Sequence, residues 1–554
     1  EERGTQLISL LERLQKLTGV IPVRIGLSAT LGDIEGAEDW LNGGTGRKCI
    51  TPDTGVKRRR AVVMVEHFYE FAFQEKDKKN EISFYDNLYE LTRGKKSIVF
   101  SNARSEVEKN IVNLKEIAKK KGEPDVFMVH HGSISASDRE YVEEQMRLSD
   151  LPLVTGATVT LELGIDLGDL ERIIQVGCPK SVASLSQRLG RSGRRSGVSE
   201  MCFLFEEEKR SESTEFYKAI NWSFIKCIAL IELYRENYIE PVLPERYPFG
   251  ILYHQTMSFL YSRGEASPEV LAQSLLSEYA FRFVTQEDYK ELLRYLLKIG
   301  HIERTENGGV ILGTEGEKVA NHYDFYSVFE SDVEYSVREG SHEIGTLTRL
   351  MQPDTTFVLG GKSWMVTEID KENKNIYVKS AEGKPPTVWD GTGEVIEHTR
   401  VLKKMKEIIT TDCKYPYLGD GAKKRLTEIR QVAAGAGLET KEIFEISPDT
   451  YGISLWLGTR ALNSLDYILN KLLPDRKFVE PYWPFLIVKN VTKNELMDAL
   501  DYIRKNDVTE SDYIVPKDAK TFGKYNDFVP ENLLIKQYVD RYTDVAEMKE
   551  EISL

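Results

Sequence analysis

Eight consecutive residues, Gln187-Arg188-Leu189-Gly190-Arg191-Ser192-Gly193-Arg194, hold the densest chemistry in the chain. Arg191 and Arg194 are separated only by small residues, so both guanidiniums can project from one turn of backbone towards a common point. Planar, permanently charged donors in that arrangement suit a γ-phosphate, whose negative charge is spread over its oxygens in the transition state. A solvated basic loop would carry the same residues, and the upstream sequence argues against it. Thr158-Val159-Thr160-Leu161-Glu162-Leu163-Gly164-Ile165-Asp166 directly follows an apolar run at 153–155. Small hydroxyls such as Thr158, a glycine (Gly164) and a carboxylate (Asp166) at a strand's carboxyl end suit contacts to a nucleotide or a phosphate backbone.

Other segments offer polar groups of the same kind. Asn102 and Arg104 follow the apolar run 97–100, where Arg104 could reach a phosphate or form a surface ion pair. His130 and His131 could suggest a metal pair, but no acidic or cysteine partner sits at ligand spacing. Gly132 and Ser133 instead present a backbone N–H and a hydroxyl to a strand phosphate, with the histidines packing or bridging. Ser28-Ala29-Thr30 closes another apolar run. Trp389, between Pro385-Pro386 and Gly391, has little regular structure around it to bury it. A tryptophan on such a loop is either a stacking platform for an unpaired base or a plug in a small core. Trp364 alternates with its neighbours in a strand pattern and reads as core.

These residues need a scaffold. Apolar runs at 62–65, 97–100, 126–129, 153–155, 173–176 and 202–205 alternate with helical patterns, which predicts a parallel sheet covered on both faces. Its chemistry would gather at the carboxyl ends of its strands. Upstream, residues 5–17 have helical spacing and 21–27 reads as a short buried strand. Downstream, Pro241, Pro244 and Pro248 form a stiff linker. Three helical stretches follow (252–263, 268–277, 286–299), then a hairpin around Asn307-Gly308-Gly309, together a winged helix. The third stretch mixes Glu287, Asp288 and Glu291 with Lys290, Arg294 and Lys298. It predicts a strut or strand separator rather than a duplex-reading helix, which would be more uniformly basic. Residues 357–378 read as strands of a small β-barrel, and 401–554 as mostly helical. The fold class is thus multidomain α/β, a parallel-sheet domain followed by winged helix, β-barrel and helical domain.

Composition sets outer limits. The 554 residues are 41% hydrophobic and 29% charged, which is ordinary for a globular protein of several domains. A net charge of -14 argues against a protein that coats nucleic acid through bulk charge, yet leaves room for a narrow basic channel. The five cysteines form no C-x-x-C pair, which excludes a disulfide framework and disfavours a structural zinc site. No run approaches a membrane span and the start lacks a signal peptide's apolar stretch, so no membrane partner and a cytoplasmic location are expected.

In order and spacing, Ser28–Thr30, Val99–Arg104, His130–Ser133, Thr158–Asp166 and Gln187–Arg194 resemble motifs III to VI of superfamily 2 helicases. The finer resemblance is to the Lhr (large helicase-related) family. It rests on His130-His131-Gly132-Ser133, Leu161-Glu162-Leu163-Gly164-Ile165-Asp166 and Gly177-Cys178-Pro179-Lys180-Ser181-Val182 with the following Gln-Arg-x-Gly-Arg. It extends through Phe357–Trp364 and Pro386–Gly391, and more weakly through Tyr415–Leu418 and Trp456–Arg460. The last segment of the arginine-rich motif, Ser192-Gly193-Arg194, departs from the Ala-Gly-His of many family members.

The resemblance implies 1–55 as the end of a first RecA-like domain and 56–235 as the second. It implies 236–320 as a winged helix, 321–400 as a β-barrel and 401–554 as a helical domain. It implies catalysis through Gln187, Arg191 and Arg194, with Gly164 and Asp166 also at the nucleotide. Ser28, Thr30, Asn102, Arg104, Gly132, Ser133, Thr158 and Trp389 would hold nucleic acid. Cofactors would be ATP and Mg²⁺. Partners would be single-stranded DNA or DNA with a 3′ tail, conceivably an RNA–DNA hybrid, and proteins of a repair or defence complex. Neither a G-x-x-x-x-G-K-[ST] phosphate loop nor an Asp-Glu-x-His segment occurs, so these 554 residues alone are expected not to hydrolyse ATP. Two alternatives stay open: a Ski2-like RNA or RNA–DNA helicase, and a DNA-binding scaffold whose ATPase half is another polypeptide.

Overall fold

The computed structural model describes residues 2–28, 30–52, 60–70, 83–162, 165, 167–193, 198–208, 215–329, 334–348, 350, 352–381, 396–473, 479–516 and 523–553. Six strands form one parallel sheet: β1 (Arg60–Glu70), β2 (Ser97–Phe100), β3 (Phe127–His130), β4 (Val154–Ala157), β5 (Arg172–Val176) and β6 (Val198–Glu208). Their order is β1-β6-β5-β2-β4-β3. Every residue of β2 and β4 is buried, as expected of central strands covered on both faces, and this is why they read as unbroken runs rather than alternations. β1 has one strand neighbour, and its other edge is covered from far along the chain. Val65 N–H donates to the Tyr417 carbonyl and Gly419 N–H to the Val65 carbonyl, both at 2.9 Å.

Helices α1 (Glu2–Thr18) and α2 (Ile34–Asn42) precede the sheet. Between and after its strands come α3 (Phe84–Thr92), α4 (Arg104–Lys121), α5 (Ala136–Leu148), α6 (Val182–Leu189), α7 (Phe216–Ala219) and α8 (Trp222–Arg235). α4 stops at Gly122 in the left-handed region, with Lys119, Lys120 and Lys121 in its last turn facing the negative end of its dipole. The strand expected at 21–27 does not form. Among the described residues the segment has no ladder partner, and Val23, Ile25 and Leu27 are largely exposed. Apolar content alone does not make a strand without a neighbour to pair with.

Next come α9 (Phe249–Arg263), α10 (Pro268–Leu276) and α11 (Gln286–Lys298), a hairpin of β7 (Ile302–Arg304) and β8 (Val310–Leu312), and α12 (Thr314–Ala320). A five-stranded sheet follows, made of β9 (Tyr335–Glu339), β10 (His342–Leu347), β11 (Thr356–Leu359), β12 (Lys362–Asp370) and β13 (Asn375–Ser380), in the order β10-β9-β13-β12-β11. Trp364 is buried in it, as its alternation predicts, with its indole N–H donating to the Leu359 carbonyl at 2.8 Å.

The remainder is less helical than expected. Besides α13 (Thr399–Thr410) and α14 (Asp420–Ala436), it holds a four-stranded antiparallel sheet of β14 (Ile443–Ser447), β15 (Thr450–Ile453), β16 (Val479–Tyr482) and β17 (Phe485–Lys489), with α15 (Thr459–Leu472) between β15 and β16. The chain closes with α16 (Lys493–Lys505), α17 (Glu531–Tyr542) and α18 (Val545–Ser553). The four strands are only four or five residues long, too short for periodicity to separate them from the amphipathic helices on either side. One acidic residue of α11 is used internally: the Lys536 ammonium of α17 donates to both carboxylate oxygens of Asp288, at 2.8 and 2.9 Å.

Candidate nucleotide and nucleic-acid site

α6 is the centre of the arginine-rich segment, and its start is fully capped. The Ser181 hydroxyl accepts from Ser184 N–H, while the Glu240 carboxylate accepts from the N–H groups of Val182 (2.7 Å) and Ala183 (3.2 Å). On α6, the Gln187 amide donates to the Thr30 hydroxyl at 2.9 Å, across 157 residues of sequence. Thr30 belongs to a small turn closed by Ser28, whose exposed hydroxyl accepts from Thr30 N–H and donates to the Thr30 carbonyl.

The next residue, Arg188, has no exposed surface. Its Nε donates to the Glu162 carboxylate at 2.9 Å, another nitrogen donates to Gln175, and the guanidinium carbon lies 4.8 Å from the centre of the Phe100 ring. Burial lowers the Arg188 pKa from its ordinary value, and Glu162 opposes that shift. Arg191 turns to the main chain of the same loop. Its Nε and Nη2 donate to the Glu162 carbonyl at 3.2 and 2.8 Å, and Nη1 to the Ile165 carbonyl at 2.7 Å. Glu162 is therefore held twice, by its carboxylate on Arg188 and by its carbonyl on Arg191. Sequence reasoning did not single out Arg188 or Glu162. Both stand inside the quoted segments, but a buried pair cannot be told from two surface charges without the fold. Gly164, Asp166, Arg194 and Trp389 lie outside the described residues.

A second group gathers where β2, β3 and β4 end. The Arg104 guanidinium, at the start of α4, donates to the Ser133 hydroxyl at 2.5 Å, and Gly132 is packed closely enough that a Cβ there would stand 3.6 Å from the same guanidinium. Asn102 is exposed and donates from its amide to the Cys178 carbonyl at 2.6 Å. Thr158, just beyond β4, is buried. His130 sits 2.9 Å from both the Thr160 hydroxyl and the Glu143 carboxylate, and burial lowers its pKa while Glu143 opposes the shift. His131 is fully buried against Glu108. Both histidines are thus committed to internal bonds, and the described residues contain no cluster of three or more metal-ligating side chains. Ser133 is buried like Thr158, so of the predicted strand-contacting side chains at this end of the sheet Asn102 and Arg104 are those that reach the surface, and a cation and an amide there suit phosphate groups.

The sheet carries these segments at its strand ends, and the helicase conserved C-terminal domain matches residues 80–196. The chain is 25% identical over 415 residues to the ATP-dependent helicase Lhr-Core of Saccharolobus solfataricus, covering 71% of this chain and 45% of that one. It is 25% identical over 455 residues to the Lhr helicase/uracil glycosylase of Escherichia coli, covering 71% and 28%. Its fold matches the structure of Mycobacterium smegmatis helicase Lhr bound to ssDNA and AMP-PNP with a TM-score of 0.67 at 18% identity, covering 99% of this chain and 74% of that one. By these matches the chain is similar to the Lhr helicases over about 70% of its length. It spans less than half the length of the two curated relatives just described.

Proposed function

We propose that this chain carries the arginine-bearing half of an ATP-driven motor that moves 3′-to-5′ along single-stranded DNA and displaces a paired strand. The observation that carries the reading is the linkage made by α6 and the turn that follows it: Gln187 to Thr30 on one side, and Arg188 and Arg191 to the 158–165 loop on the other. One short helix thereby touches the segment that would sense the nucleotide and the loop that would hold the strand. In this reading Arg104, Ser133, Asn102 and Thr158 grip the phosphate backbone, which positions a strand without reading its bases. Trp389 stacks on an unpaired base. Residues 236–320 act as a winged helix that separates strands and 321–400 as a β-barrel beside the channel.

ATP supplies the free energy of each step. The residue types present fit the phosphate side of its site: Arg191 and Arg194 are permanent cations, and Gln187 donates to the Thr30 hydroxyl. Arg191 would reach a phosphate only by exchanging its bonds to the carbonyls of Glu162 and Ile165, which couples nucleotide engagement to a shift of the strand-holding loop. A phosphate loop and Mg²⁺ ligands would have to be supplied alongside these residues, and on this reading the chain by itself does not hydrolyse ATP. The setting we propose is DNA repair or defence in the cytoplasm.

The test is strand displacement by the full-length protein with ATP on duplexes carrying a 3′ tail, a 5′ tail, or an RNA strand. Displacement from the 3′-tailed DNA and not from the 5′-tailed one is expected. Equal displacement from both tails contradicts the polarity, and activity confined to RNA-containing duplexes contradicts the substrate.

A further inference from the structure

Resting on the proposed role of Arg104 and Ser133, we propose that Glu108 is a positioning residue through which the five-stranded sheet sets the geometry of that phosphate contact. Glu108 lies on the inner face of α4, one turn past Arg104, and is fully buried. Its carboxylate accepts two main-chain N–H groups from the β11–β12 turn, Gly360 to Oε1 and Gly361 to Oε2, each at 2.7 Å. Both glycines have positive φ, +67° and +70°, which brings successive N–H groups round to one anion. A third donor comes from the other direction: His131 Nε2 is 3.0 Å from Oε1. Because Ser133 N–H donates to His131 Nδ1 at 3.3 Å, the ring proton is on Nε2 and points at the carboxylate.

The bonds form one continuous path. It runs from the hairpin of the five-stranded sheet through Glu108 and His131 to the main chain of Ser133, whose hydroxyl receives Arg104. A second attachment fixes the same loop from the other side. Thr346 N–H donates to the Ser133 carbonyl at 2.8 Å and Ser135 N–H to the Ile344 carbonyl at 3.1 Å. Gly345 is needed at that crossing, since a Cβ there would fall 2.0 Å from the Ser133 oxygen. Apolar residues of both units seal the site in one shared core, with Ile111, Val129 and Ile134 against Phe357, Leu359 and Trp364. A carboxylate so enclosed is tolerated because it is hydrogen-bonded, here by three donors. The five-stranded sheet and the parallel-sheet domain accordingly move together at this point, and the Arg104–Ser133 pair moves with them.

The experiment is a double-mutant cycle on the full-length protein, read as affinity for an oligothymidine strand, with melting temperature measured on each variant. Glu108→Gln offers one carbonyl oxygen where the carboxylate offers two, and its amide N–H₂ would face a glycine N–H. Arg104→Ala is expected to weaken binding about 10-fold, as for loss of one charge-assisted contact. Glu108→Gln is expected to weaken it several-fold, with the double variant no weaker than Arg104→Ala, because both remove the same contact. If Arg104→Ala leaves affinity unchanged, the nucleic-acid reading of Arg104 fails whatever Glu108 does. If Arg104→Ala weakens binding while the Glu108→Gln effect is absent or multiplies with it, the positioning role is overturned. Should Glu108→Gln fail to fold, His131→Asn, which removes the Nε2 donor and keeps an acceptor for Ser133 N–H, takes its place in the cycle. Failure of both to fold makes Glu108 a stability residue and also overturns the proposal.

Discussion

Arg188 and Arg191 are three residues apart and face different tasks. Arg188 is enclosed, paired with the Glu162 carboxylate and with Gln175, so it holds the loop rather than reaching a ligand. Arg188→Ala leaves Glu162 without its cation in a buried setting, and breaking such a pair typically costs about 3–5 kcal/mol. A clear drop in melting temperature, with activity lost in proportion to folded protein, is the expected outcome. Unchanged melting with selective loss of ATP hydrolysis would instead make Arg188 the residue that meets the phosphate. The sequence makes the arginine cluster conspicuous because such a motif is local, and the family resemblance rests on five such local segments. It does not show which arginine is buried, because that depends on Glu162, Gln175 and Phe100, which are brought together only by folding. The pairing of Arg104 with Ser133 was not foreseeable either, although each residue is conspicuous alone.

Elements carry the next level of coupling. α1 is fastened to the helical region after the parallel sheet. Ser9 donates to the Glu278 carboxylate at 2.6 Å, Lys16 pairs with it at 3.5 Å, and Tyr279 N–H donates to Glu12 at 2.8 Å. Burial pushes the Glu278 pKa up to about 7, against the pull of Ser9, Lys16 and Arg13 and with the added repulsion of Glu12. A carboxyl raised in the folded state binds its proton more tightly there than in the unfolded chain. Its contribution is therefore fully present at low pH and is lost as pH rises through about 7. Asp466, also raised to about 7 by burial, acts in the same direction. His254, lowered to about 4, acts in the opposite direction, but below its ordinary range near pH 6.5. Between pH 6.5 and 8 the melting temperature should therefore fall, and Glu278→Gln should flatten part of that slope. An identical slope in the variant would remove Glu278 from the account.

At the scale of the whole molecule, the chain joins a parallel-sheet domain to accessory units through shared cores rather than through flexible links. One apolar cluster runs from the sheet through α8 and α13 to Phe485 and Ile487, and another joins the sheet's opposite face to the five-stranded sheet. The parallel sheet was readable in advance because a short apolar run marks each strand, although β1 and β6 extend well beyond theirs into charged residues. The C-terminal sheet was not, because its strands are short and α15 separates β15 from β16. The central claim, that of the proposed function, is that the Gln187–Arg194 segment belongs to an arginine-dependent ATPase half whose turnover depends on a bound strand. ATP hydrolysis by the full-length protein, with and without single-stranded DNA, tests it most directly on wild type, Arg191→Ala and Arg194→Ala. The account predicts hydrolysis stimulated by the strand and reduced by on the order of 10³ or more in each variant, with strand affinity largely kept. Wild-type turnover in both variants, or hydrolysis indifferent to the strand, would contradict it.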